Sequence, residues 1–338
     1  MPPSQNWKEI IPADEEARFA ELAKQLVELQ RMHAVDGRPA RALHTKFNGG
    51  FEARLEIFGD LPEPCRHGLF AVPRVYDALV RYSNGSGVVQ DDAKADVRGM
   101  AVKVLEVDGP KAIGTARTQD FLGILQSTTP FRDAYEFVGV IWASRNPWLS
   151  LPRLLFTVGL RAFSILPKLI RAVKVPVDSL AESRFFSSLP MLCGPYAVRF
   201  AWLPLTAPAA DGPPAGSTKY ADDLADRLRK GPIEYALELQ FFVDEGSTPI
   251  EDGSVDWPVD IAPYVRVGKL VIPQQDAVSE RGKRIAEVVQ SLSFDPWHAL
   301  VEHRPLGNMM RARKQAYFAC GKGRNAAAEP DGNMAWLK

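Results

Sequence analysis

Two short segments, far apart in the chain, carry residue types whose spacing can do chemistry. In Arg41-Ala-Leu-His44-Thr-Lys46 a histidine stands between two cations, just ahead of a stretch in which apolar and polar residues alternate. In Arg311-Ala-Arg313-Lys-Gln-Ala-Tyr317, Arg313 and Tyr317 are four residues apart on a predicted helix, so both project from one face. A free tyrosine ionises only near pH ~10. A guanidinium one turn away, together with a metal, favours the anion, and a phenolate is a hard oxygen donor suited to ferric iron. Taken singly, neither segment is specific. A lone histidine is more often structural than catalytic, and an arginine–tyrosine pair at this spacing is an ordinary cation–aromatic contact.

The elements that must position these groups follow from apolar periodicity. Phe19, Leu22, Leu26 and Leu29 recur at helical spacing over residues 13–33, with Asp14, Glu15 and Glu16 at the start where the helix dipole favours negative charge. In Phe51-Glu-Ala-Arg-Leu-Glu-Ile57 every second residue is apolar, the pattern of a strand with one face against a core. Similar runs occupy residues 79–82, 97–107, 196–203, 235–243 and 265–272. No regular helix follows each strand, as a parallel sheet would require. The expected fold is therefore α+β, an antiparallel, barrel-like sheet with helices outside it. Further helices are expected at 278–292 and 308–320, the last stopped by Gly321, and 207–216 reads as a surface loop.

The composition narrows the function classes. The 338 residues are 46% hydrophobic and 24% charged, as in packed soluble domains. Lys plus Arg and Asp plus Glu are both 41, so there is no general attraction to nucleic acid. Cys65, Cys193 and Cys320 cannot all pair and form no Cys-x-x-Cys, which argues against a disulfide framework or a zinc ribbon. The N-terminus has no secretory signature and no long uncharged apolar run exists, so a cytoplasmic location is expected.

One segment stands apart. Residues 137–177 contain no acid, yet Arg145, Arg153, Arg161, Lys168, Arg171 and Lys174 are basic. On a helix most of these cations fall on one side, with Leu155, Val158, Ile165, Leu169 and Val173 roughly opposite. One reading is a peripheral lipid contact. The other is a pair of packing helices broken at Pro152 and Pro167, at a dimer interface.

Taken jointly and in order, the motifs resemble the haem catalase superfamily over roughly residues 38–325, and in particular its short, single-domain bacterial members. Arg41-x-x-His44-x-Lys46 looks like the distal-histidine motif; Val80-Arg81-Tyr-Ser83 and Asp96-Val-Arg-Gly99 look like the family's Arg-Phe-Ser strand and Asp-x-Arg-Gly turn. Arg132-Asp-Ala-Tyr-Glu-Phe137 with Arg145-Asn-Pro147, and Arg313-x-x-x-Tyr317, resemble its later motifs. The short members are matched by the run from Phe294-Asp-Pro-Trp-His298 to Gly307, and by Ser187-Ser-Leu-Pro190 with Gly194-Pro-Tyr-Ala-Val198.

The resemblance implies a haem b whose iron is held by Tyr317, with Arg313 beside it. It makes His44 the general acid and base and gives Ser83 the task of fixing the imidazole tautomer. Phe137 would stack on the porphyrin, and Arg41, Arg81 and Arg324 would meet its propionates. His298 and His303 read as structural hydrogen-bonding groups. Large catalases carry a distal asparagine; here Gln119–Ser127 has none, and Gln126 is the nearest amide. That loss, with Leu43 and Phe47 making the pocket more apolar, points away from efficient catalase turnover. The expected function is a haem-dependent peroxidase with weak catalase activity, using hydrogen peroxide or organic hydroperoxides and a small organic reductant. Rearrangement of a fatty-acid hydroperoxide, as in allene oxide synthases, and non-catalytic haem binding remain alternatives. The expected organisation is a helical arm at 1–37, a haem-binding core at 38–325 and a loose tail at 326–338, with a homodimer implied by the resemblance.

Overall fold

Alternation along Phe47–Ile57 turns Phe51, Ala53, Leu55 and Ile57 into a common core and leaves Glu52, Arg54 and Glu56 on the other face. The computed structural model, which describes residues 1–34, 40–144, 147–205 and 216–330, builds a sheet of nine strands on this principle. They are β1 (Phe47–Ile57), β2 (Arg74–Asn84), β3 (Arg98–Val104), β4 (Gln119–Ile124), β5 (Phe185–Phe186), β6 (Met191–Cys193), β7 (Tyr196–Pro204), β8 (Ile233–Phe241) and β9 (Tyr264–Ile272). All pairings are antiparallel. The order β5-β4-β3-β2-β1-β9-β8-β7 closes through a β5–β7 pairing into an eight-stranded barrel, and β6 extends outward from β7. Closure removes the exposed sheet edges an open sheet would leave. Phe121, Phe185, Trp202, Tyr82 and Tyr235 fill the interior.

Helices α1 (Glu15–Met32), α2 (Ala134–Ser144), α3 (Ser150–Val158), α4 (Ala162–Val173), α5 (Lys219–Lys230), α6 (Glu280–Ser291) and α7 (Asn308–Gly323) surround the barrel. Helix α6 lies on the outer wall at β1 and β2, where Ile285 and Val289 pack on Leu79. A second cluster joins α1, α2, α3, α4 and α7 through Phe19, Ala134, Leu154, Ile165 and Met310. No helix among the described residues is long and apolar enough to cross a membrane.

The antiparallel barrel agrees with the strand pattern, but several local expectations need correction. The 149–177 segment does not break at its prolines. Pro152 sits in the first turn of α3, where an N–H has no helical acceptor, and Pro167 is tolerated inside α4 on its exposed side. The break is Gly159, whose φ of 60° ends α3 in a conformation that favours glycine. Helix α7 runs through Gly321 and stops after Gly323, with Asn325 at φ 54° and Ala326 N–H bonded to Gly321 O. Of the 326–338 tail, the described part is held: Ala327 N–H donates to Ser291 O, and Glu329 accepts from Lys103 Nζ at 2.6 Å and from Thr118 Oγ1 at 2.9 Å. Arg145 and Asn146, the 207–216 loop up to its last residue, and the tail from 331 lie outside the described residues.

Candidate functional site

The site is laid out by the two-residue period of β2. Ala78, Val80 and Tyr82 point into the barrel, so Arg81 and Ser83 share the outer face with Leu79, under α6. Ser83 pairs directly with Gly99 of β3. Residues directly opposite in an antiparallel pair share a face, so the missing side chain at Gly99 leaves a gap beside the Ser83 hydroxyl. The His44 ring fills it: Nδ1 lies 3.1 Å from Ser83 Oγ, and a Cβ at position 99 would come within 2.7 Å of His44 Cε1.

His44 itself adopts φ 56°, a left-handed conformation uncommon for a residue with a side chain. It is held there by its neighbours. Its N–H donates to Gly85 O at 2.9 Å, and its carbonyl accepts from Arg81 Nη2 at 2.9 Å. Burial, reinforced by the charges of Arg81, Arg313 and Arg41, pushes its pKa down to about 3, so the imidazole is neutral at physiological pH. Lys46 of the same motif turns away to Asp92 at 2.7 Å, and Arg98 donates to Asp92 O and Lys94 O; both serve the loop before β3.

Three arginines gather at the C-terminal end of α6. Arg41 Nη2 donates to Gln290 O and Leu292 O, Arg324 to Ser291 O and Leu292 O, and Arg81 Nε to Gln290 Oε1. A helix C-terminus offers unsatisfied carbonyls and roughly half a negative charge. That is far short of three guanidiniums, and none of the three forms an ion pair among the described residues. The strain is visible in their acidities. Burial, then the other guanidiniums, lowers Arg41 well below its usual range and Arg81 to about 9, and burial lowers Arg324. Arg41 Nε is buried with no hydrogen-bond partner among the described residues. Such a donor set is suited to a buried anion, and best to one with more than one carboxylate.

Helix α7 brings the second motif to the same place. Arg313 Nη2 donates to Tyr317 Oη at 2.6 Å, and its guanidinium carbon lies 4.9 Å from the ring centroid. Arg313 is close enough for its charge to act on His44, and Tyr317 close enough to act on Arg41 and Arg81. His44, Ser83, Arg41, Arg81, Arg313, Tyr317 and Arg324 thus converge from three separate stretches of sequence, residues 41–44, 81–83 and 313–324. Two residues named with them stand elsewhere. Phe137 on α2 packs edge-on against Phe131 at 5.3 Å in the helical cluster. Gln126 donates from Nε2 to Ala172 O of α4 at 2.7 Å, and its Oε1 is buried without a partner among the described residues.

Gly99 and Gln290 are positions of this candidate site that sequence reasoning left without a task. The first could be found from its place opposite Ser83, the second only from the packing of α6. His303 is a structural group: Nε2 accepts from Leu69 N–H at 2.8 Å while Nδ1 faces Leu192 O at 3.1 Å, and burial pushes its pKa to about 4. His298 meets Asp120 at 3.2 Å and Glu329 at 3.4 Å. These three could ligate a metal by position, but Lys103 Nζ already sits 2.8 Å from both Asp120 oxygens and 2.6 Å from Glu329, so a cation is in place there.

No protein-family model matches this chain, and no curated protein does. Its structure is similar to that of a fungal catalase, with a TM-score of 0.65 and 18% identity over 94% of this chain and 64% of that one. It is also similar to a bacterial catalase, with a TM-score of 0.64 and 15% identity over 98% of this chain and 67% of the other. The fold is therefore catalase-like, and the chain spans about two thirds of the length of these two structures.

Proposed function

We propose that this chain binds one haem b and acts as a haem-dependent peroxidase with weak catalase activity, taking hydrogen peroxide or organic hydroperoxides. The observation that carries the reading is the unpaired set Arg41, Arg81 and Arg324, flanked by a neutral histidine and by a phenol with its own cationic donor. Propionates would neutralise the arginines, Tyr317 Oη would ligate the iron, and Arg313 would hold that oxygen in place. When bound, haem supplies the redox chemistry that cleaves the peroxide O–O bond.

The chain's own residues manage the proton. With Nδ1–H directed to Ser83 Oγ, the lone pair of His44 is on Nε2. Nε2 takes a proton from peroxide and returns it to the departing oxygen, acting as base and then acid. The low pKa keeps the base form present throughout the physiological range and makes the protonated ring a ready donor. The commitment of Gln126 Nε2 to Ala172 O, away from a peroxide, favours peroxidase over catalase turnover.

The test is steady-state oxidation of an organic donor by hydrogen peroxide and by an alkyl hydroperoxide, in the haem-loaded wild type and in His44→Ala. A loss of at least about a hundredfold in His44→Ala, with haem retained, supports the reading. Equal rates in both proteins contradict it. So does consumption of a fatty-acid hydroperoxide without reductant, if the product is rearranged and not the alcohol.

A further inference from the structure

Helices α3 and α4 are apolar on two sides, and only one side has a partner. Leu154, Ala162 and Ile165 are buried against the helical cluster. On the outside, Phe156 of α3, Leu160 in the turn that follows, and Phe163, Leu166 and Ile170 of α4 are exposed, the first three by 89%, 82% and 65%. A surface helix of a soluble protein needs one apolar stripe, facing inward. The outer stripe is a second one, and the sequence reading of cations opposite a single apolar face did not separate the two.

The charge that the segment itself carries is of one sign. Lys168, Arg171 and Lys174 are exposed beside it, and Arg171 and Lys174 form no ion pair among the described residues. Arg161 is neutralised by Glu136 at 2.8 Å. No acidic residue occurs between 137 and 177.

From this arrangement we infer that the outer face of α3 and α4 docks on an anionic phospholipid surface, with Phe156, Leu160 and Phe163 entering the headgroup boundary and Arg171 and Lys174 meeting lipid phosphates. Exposed aromatic and aliphatic side chains flanked by unpaired Lys and Arg are the pattern of an interfacial helix. A second copy of the chain complements the face poorly. A two-fold contact sets the same patch against itself, and the segment from 137 to 177 offers no acid to meet its own cations. The inference stands on the surface alone and is independent of whether haem binds.

Flotation of the full-length protein with phosphatidylcholine vesicles, with and without phosphatidylglycerol, tests it. At low salt the wild type should float with the phosphatidylglycerol vesicles only, and added salt should release it. Arg171→Glu with Lys174→Glu, and separately Phe156→Ser with Phe163→Ser, should each weaken binding by about tenfold or more. Both pairs lie on the surface, so unchanged circular dichroism and melting temperature establish that the fold is intact. No flotation of the wild type at low salt, or flotation unaffected by either pair of substitutions, overturns the inference. A dimer in sedimentation that Phe156→Ser with Phe163→Ser converts to monomer, without vesicle binding by the wild type, overturns it in favour of a second copy.

Discussion

His44 and Gly99 form one device. The imidazole occupies the space that a side chain at position 99 would take, and the Ser83 hydroxyl opposite fixes its direction. Gly99→Ala should therefore swing the ring off Ser83 and lower peroxide turnover of the haem-loaded protein by about a hundredfold with haem uptake retained, since a displacement on the order of 1 Å is enough for that. Comparing the reaction rate with a haem titration of the same variant checks it; an unchanged rate would contradict the assigned contact. The acidity of His44 makes a second prediction. Two of the three cations that depress it, Arg81 and Arg41, are among the arginines with no counter-ion. An anionic ligand seated on them should raise the His44 pKa above about 3, while burial, the largest cause, still holds it below its ordinary value. Titration of the imidazole by nuclear magnetic resonance, without ligand and with metal-free protoporphyrin IX, reads the shift directly; an unshifted titration with the ligand bound would separate the histidine from the arginine cluster.

At the scale of elements, α7 serves the site with one face and the N-terminal arm with another. Arg313 and Tyr317 face the site, while Arg311 donates to Glu9, Glu15 and Glu251 at 2.7–2.9 Å. Arg311→Ala would leave three carboxylates facing one another, which should cost about 3 kcal/mol in urea unfolding; a change within error would mean that the arm holds α7 by packing alone. The sequence shows these elements unequally, for physical reasons. Strands β1, β2, β7, β8 and β9 and helices α1, α6 and α7 are long enough to display their period. Strand β4 hides because Asp120 pairs with buried Lys103, which breaks the apolar alternation, and β5 is two residues long. The Arg313/Tyr317 pair is legible from local spacing. Arg41, Arg81 and Arg324 come together through α6, and no spacing rule connects residues so far apart. They were reachable only through resemblance to a family, and Gln290 not even through that.

The whole molecule is formally neutral, yet five of its cations form no ion pair among the described residues: Arg41, Arg81 and Arg324 at the end of α6, and Arg171 and Lys174 on the outer face of α4. Two of its histidines lower its stability in acid. His44 and His303 are held neutral in the fold, at about 3 and about 4, against an ordinary value near 6.5. Below ~6.5 the unfolded chain binds protons at these positions and the folded chain does not, so their contribution is full above that pH and is lost as pH falls through the folded values. The melting temperature should drop steadily from pH 6.5 to pH 4, with the decline reduced in a His303→Gln variant; a flat profile would contradict the burial of both rings. The catalase-like barrel is shared with two chains about half as long again, and the barrel alone does not fix what this chain does. The most direct measurement is a titration of the purified full-length protein with ferric haem, followed by absorption, in the wild type and in Tyr317→Phe. One haem per chain with a high-spin tyrosinate spectrum in the wild type, lost in Tyr317→Phe, is the predicted result. Failure of the wild type to bind haem, or the same spectrum in both proteins, would contradict the assignment.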